Sequence, residues 1–429
     1  MARTPRKVSV LVLSWNGKRH LEPCLDALEA QRPPGAEVEI LLLDNGSTDG
    51  TADWVRHAHP RVRLVESEAN LGFCAGNNRL AELAEGDLLA LVNNDTRAEP
   101  DWLAALVDAY RAAPDDVAAV GGRIVDWEAE RLDFGRGILT FDGHAFQLDF
   151  RRPLASARAP RAGEELLFGC GGNLLIERDA FVAVGGFDPS YFAYLEDVDL
   201  GWRLWSSGRR VVASPEGTVR HRSSATSDLL GRHHRGFLFE RNALRTVAKN
   251  LEPELWQRLM PAVLLTFLAR VEAMLVESNP GGALLRSDPF AGAIADTGAP
   301  PPRETIAAKW RRMPPGEFFR RAVGKAWRAL GAGRGGGERI RVEDPRTIAQ
   351  LRAISFFRAS LRSAGAERDA IARRRRRSDR EILERFPLWI VPTYPGDETL
   401  FADPGFDAWL PSDLHFERAR LEEVMLWPG

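Results

Sequence analysis

"VEILLLDNGSTDGTADWV" (38–55) changes character in its middle. The first seven residues are an apolar run closed by Asp44. The rest begins with Ser, Thr and Asp, residue types that accept hydrogen bonds from the free N–H groups of a first helical turn. An apolar run without alternation is the pattern of a strand covered on both faces, as in a parallel sheet. The stretch reads as strand, turn, helix, and its neighbours repeat it. Upstream, "KVSVLVLS" (7–14) precedes a helical stretch from about Lys18 to Gln31. Downstream, "VRLVES" (62–67) precedes the helical "GFCAGNNRLAELA" (72–84), and "DLLALVN" (87–93) closes the series. The order βαβαβαβ predicts a doubly wound α/β sheet. Ligands of such sheets bind beyond the carboxyl ends of the strands. The residues placed there are Ser14, Trp15, Asn16, Asp44, Asn45, Asn70, Gly72, Asn93, Asn94 and Asp95.

From about 115 to 225 the pattern is mixed, with strands expected near 117–125, 166–176 and 209–222 and a helix from Glu196 to Ser207. Beyond about 230 it turns helical, over 232–250, 253–277, 303–331 and 344–386, with a Gly/Pro/Ala-rich linker at 278–302. The last forty residues show no periodicity. The expected organisation is an α/β domain over 1–230 and a mainly helical region over 231–429.

The chain has 429 residues, 44% hydrophobic and 28% charged, with net charge −2. That composition is globular, and the balance gives no argument for nucleic acid as a partner. Three widely spaced cysteines, Cys24, Cys74 and Cys170, form neither a zinc pattern nor a disulfide framework, so a reducing cytoplasm is expected. No run reaches the ~20 apolar residues of a membrane span. "LWQRLMPAVLLTFLARVEAML" either rests on a membrane or packs on the α/β domain or in a homodimer, packing being favoured. "ARRRRRSDRE" (372–381) reads as a solvated face, with anionic lipid the alternative.

Several short motifs carry chemistry, each beside a plainer reading. In "ALVNNDT" (90–96), Asp95 at a strand end can ligate a hard divalent cation, or the three polar residues form a turn. Asp44 can accept hydrogen bonds from a ligand's N–H groups, or it builds an Asx turn. In "NLGFCAGNN" (70–78), Gly72 and Gly76 allow close backbone approach, but the spacing is not a dinucleotide fingerprint. No phosphate loop of the G-x-x-x-x-G-K type is present. "FGCGGNLLI" (168–176), with Gly171 and Gly172, is a strained turn or a place where a sugar meets the backbone. In "YFAYLEDVDLGWRL" (191–204), Glu196, Asp199 and Arg203 share one side of a helix and read as an exposed ion-pair row. Asp197 is turned about 100° away, toward Leu200, Gly201 and Leu204, where the helix N-terminus favours its ionised form. That is the requirement of a general base. His221, at another strand end, gains a role only if the fold sets it beside Asp95.

Residues 7–226 as a set resemble a family 2 glycosyltransferase of the GT-A fold, closest to the bacterial rhamnosyltransferase-like branch. The matching segments are "VLVLSWNG", "LLLDNGSTDGT", "NLGFCAGNN", "LVNNDT", "GCGGNLLIERDAF", "GGFDPSYFAYLEDVDLGWRL" and "VRHRSSAT". The resemblance implies a single, inverting transfer from a nucleoside-diphosphate sugar, dTDP-rhamnose or a UDP-sugar, to a glycan or lipid-linked acceptor. It implies a divalent metal, Mg²⁺ or Mn²⁺. It places Ser14, Asn16 and Asp44 around the nucleobase and ribose, and Asn70, Gly72 and Asn77 beside the nucleotide. Asn94, Gly171, Gly172 and Glu196 complete the substrate site. Asp95 holds metal, His221 is a further metal or diphosphate contact, and Asp197 is the base. The DxD-like motif is Asn93-Asn94-Asp95, with one acid where the family pattern has two. The rival reading is an inactive nucleotide-sugar-binding or assembly protein. The expected place of action is the cytoplasm, with peripheral contact at the inner face of the plasma membrane.

Overall fold

The computed structural model describes residues 5–222, 232–279, 285–286 and 342–426. The repeated strand–helix pattern is realised as β1 (Lys7–Ser14), α1 (Lys18–Glu29), β2 (Glu37–Asp44), α2 (Thr51–Ala58), β3 (Arg63–Glu66), α3 (Gly72–Leu83) and β4 (Leu88–Asn93). β1 pairs in parallel with β2 and with β4, and β2 with β3. Val8, Val10, Val12, Leu41, Leu42, Leu89 and Ala90 are fully buried, as continuous apolar runs foretell. The register sets Ser14 opposite Asp44 and Leu13 opposite Asn93, which brings three strand ends to one edge.

The chain continues through β5 (Thr96–Ala98), α4 (Trp102–Ala112), β6 (Val117–Asp126), β7 (Leu132–Phe134), β8 (Gly137–Leu139) and β9 (Ala145–Gln147), which pair with each other apart from the main sheet, then β10 (Glu165–Leu166), β11 (Asn173–Glu177), α5 (Arg178–Ala183), α6 (Glu196–Ser206) and β12 (Arg210–His221). The main sheet takes in the other strands. Its order is β10-β12-β6-β11-β4-β1-β2-β3, with β5 on β12 and β7 on β6. β11 runs antiparallel to β4 and β6, so the sheet is mixed. The strand expected at 166–176 is broken into β10 and β11. Between them the chain passes the end of β4, where a Cβ on Gly172 would lie 2.8 Å from Asn93 Nδ2.

C-terminal to the sheet lie α7 (Arg232–Asn250), α8 (Pro253–Ser278), α9 (Pro345–Arg374), α10 (Asp379–Leu383), β13 (Leu388–Ile390), α11 (Asp397–Ala402), β14 (Phe416–Arg418) and α12 (Leu421–Val424). The helix expected over 303–331 falls outside the described residues. The chain forms two units by its internal contacts, Met1–Val271 with Pro345–Gly429, and Glu272–Asp344. The sheet and α7 share the first unit with α9. By length and composition α8 could cross a bilayer. Its Leu259, Ala262, Val263 and Phe267 are nevertheless fully buried against protein. Arg270 of α8 is buried between Asp142 and Asp397, each at 2.8 Å. His144, after β8, lies between Asp142 at 3.0 Å and Glu240 of α7 at 3.1 Å. Buried charges survive only when paired in this way. The arginine run is the expected solvated face at Arg373, Arg374 and Arg376, but not at Arg375 and Arg377. Arg375 pairs with Asp379 and donates to the Asn250 carbonyl, each at 2.7 Å. Arg377 reaches Asp116 and the Arg209 carbonyl. These arginines tie the C-terminal region to the sheet.

Candidate active site

The ends of β1 and β2 are knotted by polar side chains. Asn94 Nδ2 donates to Ser14 Oγ (3.1 Å), and both residues are buried. Asn16, at φ 49°, accepts from the Thr48 N–H (2.8 Å), while its own N–H donates to Ser47 Oγ (2.8 Å). Asn70 Oδ1 accepts from Asn45 Nδ2 (2.9 Å) and from the Gly72 N–H (2.8 Å). Gly72 starts α3 at φ +78°, and a Cβ there would stand 2.5 Å from the Phe192 ring. Glycine is required on both counts. Asp44 is 5% exposed, and its Oδ1 has no hydrogen-bond partner. Burial raises its pKa, against hydrogen bonds from Ser47. A buried acceptor without a donor, at the carboxyl edge of a parallel sheet, is a place prepared for a ligand N–H. Asn77 is not part of this knot. Its Nδ2 donates to the Phe73 carbonyl within α3 (2.9 Å).

β12 ends beside β5, with His221 opposite Thr96. This register puts His221 Nε2 3.3 Å from Asp95 Oδ1. His221 Nδ1 lies 3.1 Å from Asp133 Oδ2, on β7. Asp133 was not anticipated, because a three-residue strand in a loop-rich segment gives no sequence signal. Burial disfavours the imidazolium, but the carboxylates of Asp133 and Asp95 outweigh it and hold His221 up at about 9. Burial likewise raises Asp95, yet the bond and charge of His221 keep it below the usual carboxylate range. Asp95, a buried carboxylate at a strand end, can ligate a hard divalent cation, and His221 Nε2 can join it once that nitrogen gives up its proton, while Asp133 faces the opposite ring nitrogen. Asp95 with His221 fits the metal that the resemblance implies.

The loop before α6 is built against backbone preference. Phe192, Tyr194 and Leu195 all have φ between 63° and 71°. Non-glycine residues there cost roughly 1–2 kcal/mol each. α7 holds the loop in place. Asn242 Nδ2 lies within hydrogen-bonding distance of the carbonyls of Tyr191 (3.1 Å), Ala193 (2.8 Å) and Tyr194 (2.8 Å). Arg241 donates to the carbonyls of Ser190 (2.7 Å) and Tyr191 (2.9 Å). Thus fixed, α6 starts at Glu196 and presents Asp197 partly exposed at its first turn. Asp197 Oδ1 accepts from the Val198 N–H (2.8 Å), and Oδ2 from the Gly171 N–H (3.4 Å). Burial raises the pKa of Asp197 despite these bonds. Burial and the charge of Asp197 raise that of Glu196, whose Oε2 is buried without a partner.

The other two members of the expected exposed row are also buried. Asp199 is fully buried and Arg203 nearly so. Asp199 Oδ2 accepts from Arg203 Nη2 (2.7 Å), while Oδ1 meets Lys249 Nζ (2.9 Å) and Asn250 Nδ2 (2.8 Å). Helical spacing correctly groups these residues, but α7 covers their side of α6. Ser14, Asn94, Asp95 and His221 therefore gather on one side of the strand ends. Asp44, Asn70 and Gly72 gather on another, and Gly171, Glu196 and Asp197 beside α6. Phe73 joins the last two groups, its ring 3.1 Å from where a Cβ on Gly171 would be.

A mixed α/β sheet with an acid-and-amide motif after β4 and an acid pair opening α6 defines a GT-A-type sugar transferase. The family model for glycosyl transferase family 2 matches residues 9–185. An N-acetylglucosaminyl-diphospho-decaprenol L-rhamnosyltransferase of Mycobacterium tuberculosis is 33% identical over 264 residues, 54% of this chain and 84% of that protein. The O-antigen biosynthesis protein RfbC of Myxococcus xanthus is 31% identical over 233 residues, 51% of this chain and 18% of that protein. A mannosyltransferase of Pyrobaculum calidifontis, solved with GDP-Man and Mn²⁺, is similar at 18% identity and TM-score 0.44, over 83% of this chain and 87% of that one. The chain belongs to glycosyl transferase family 2, within its rhamnosyltransferase-like part.

Proposed function

We propose that this glycosyltransferase moves one sugar, with inversion, from a nucleoside-diphosphate sugar to a hydroxyl of a lipid-linked or glycan acceptor. The reading rests chiefly on Asp197, a partly exposed carboxylate held by two backbone N–H groups beside the strand ends. Asp44 takes an N–H of the nucleobase on its unpartnered oxygen, and the backbone at Gly72 passes close to the nucleotide. The acceptor oxygen bonds to the anomeric carbon as the bond from that carbon to the diphosphate breaks. Asp197 takes the acceptor's proton, and the nucleoside diphosphate leaves with the bonding electron pair. Asp95, with His221 through a deprotonated Nε2, would hold a Mg²⁺ or Mn²⁺ ion, which supplies positive charge for the departing diphosphate. Asp133, 3.1 Å from His221 Nδ1, would orient the ring.

A rhamnose donor is favoured by the relative's name, with dTDP the carrier that the resemblance implies and UDP-sugars next. The decaprenol acceptor in that name supports a lipid-linked acceptor and a cytoplasmic enzyme at the inner membrane face. The test is binding and slow hydrolysis across a panel of nucleotide sugars, with Mg²⁺, Mn²⁺ or EDTA. One donor turned over, and lost with EDTA and in Asp95→Ala, is the expected result. Equal hydrolysis in EDTA would remove the metal from the account, and no binding to any donor would remove the function.

A further inference from the structure

α9 is apolar on both sides. Its inner side carries Ala349, Ala353, Phe357, Ala364 and Ile371, all buried. Its outer side carries Ile348, Leu351 and Phe356, which are 39%, 42% and 52% exposed. Three large apolar side chains on the outer arc of one helix, Phe356 at its edge beside Phe237, form a face that wants a partner.

Charge decides which partner. Between Pro345 and Ala366 the helix has no acidic residue, whereas Arg352, Arg358 and Arg362 are interleaved with the exposed apolar side chains. Acids return only outside that stretch, at Glu343 and Asp344 before the helix and at Glu367 and Asp369 in its last turns, and Glu367 is engaged by Arg245 at 2.6 Å. Apolar groups that can enter the acyl boundary, with arginines that can reach phosphates above it, match an anionic lipid surface. The face also adjoins the catalytic loop. The Phe356 and Phe237 rings lie 5.2 Å apart, and Phe192 and Tyr194 pack on the cluster of Phe237, Leu238 and Ala349.

We infer that the outer face of α9 docks this enzyme on an anionic membrane surface, beside the loop that presents Asp197. Its purpose, delivering a lipid-borne hydroxyl to that loop, rests on the function proposed above. The docking itself does not. Of the segments first singled out for membrane contact, α8 buries Leu259, Val263 and Phe267 but exposes Leu268, and the arginine run exposes Arg373, Arg374 and Arg376 while Arg375 and Arg377 are engaged within the protein.

The test is co-sedimentation of the full chain with vesicles of phosphatidylcholine alone or with 30% phosphatidylglycerol added. Binding is expected only to the anionic vesicles and should weaken with salt. Leu351→Ser/Phe356→Ser should abolish it. Arg352→Gln/Arg358→Gln/Arg362→Gln should weaken it roughly a hundredfold. Circular dichroism and donor hydrolysis in solution should be unchanged in both variants, which separates lost docking from lost folding. No binding by the wild-type chain, or equal binding by both variants, would overturn the inference. So would variants that dissociate a dimer and leave vesicle binding intact, because a second copy would then own the face. Vesicle binding without turnover of any donor would instead refute the proposed function alone.

Discussion

Replacing Asn242 with leucine keeps the branching of the side chain's heavy atoms and removes both of its N–H groups, together with the oxygen that accepts from Arg241. Arg241 continues to serve the Tyr191 carbonyl at 2.9 Å, so the carbonyls of Ala193 and Tyr194 lose their donor. Each such loss costs about 1–1.5 kcal/mol, or about 2–3 kcal/mol together. Those bonds oppose the strain of three residues at positive φ immediately before α6. Without them the loop relaxes and Asp197 loses its fixed place. At about 1.4 kcal/mol per tenfold, kcat should fall roughly 30- to 150-fold. The assay is steady-state transfer to a soluble acceptor, with KM for the donor measured beside kcat and thermal unfolding recorded. Donor KM should move less than kcat, because Asp44 lies on β2, away from the loop, although the loop's Phe192 also packs on Gly72. A kcat within about threefold of wild type would refute the claim that Asn242 positions the base. So would a loss explained entirely by a smaller folded fraction.

Two further outcomes follow from the same geometry. Asp199→Asn removes the charge that pairs with buried Arg203 and Lys249, and should destabilise the fold by about 3–5 kcal/mol in urea unfolding. Burial raises the Asp199 pKa, but Arg203 and Lys249 outweigh it and depress it, so its stabilisation is present above the unfolded value of about 3.9 and lost as pH falls below it. Wild-type chain should therefore lose stability in acid more steeply than the variant, and parallel curves would contradict the pairing. The acid limb of kcat/KM should lie above the ordinary carboxylate range, since burial raises Asp197 and the base must be ionised. A limb near pH 4 would place the base elsewhere.

The strands of the sheet were legible because parallel strands covered on both faces read as unbroken apolar runs. Their carboxyl ends followed from the topology, and with them the places of Asp44 and Asp95, while the place of Asp197 in the first turn of α6 followed from helical spacing. His221 needed the pairing of β12 with β5 to reach Asp95. The row of Glu196, Asp199 and Arg203 was grouped correctly and misplaced in exposure. Periodicity tells which residues share a side, and Lys249 and Asn250, about fifty positions on, decide what covers it. The arginines at 375 and 377 failed for the same reason, since their partners lie in the sheet and α7. Asn242 gave no signal at all. It sits in a polar helix, and its role exists only because a strained loop far upstream folds against it.

The central claim is that Asp197 removes the acceptor's proton. Asp197→Asn keeps the volume and can still accept through its one oxygen from the Val198 N–H, giving up only the longer bond from the Gly171 N–H, but it has no base. Transfer should fall by at least a thousandfold while donor affinity, measured by calorimetry, stays within about threefold of wild type. Transfer at a substantial fraction of the wild-type rate, with the donor equally well bound, would contradict the account.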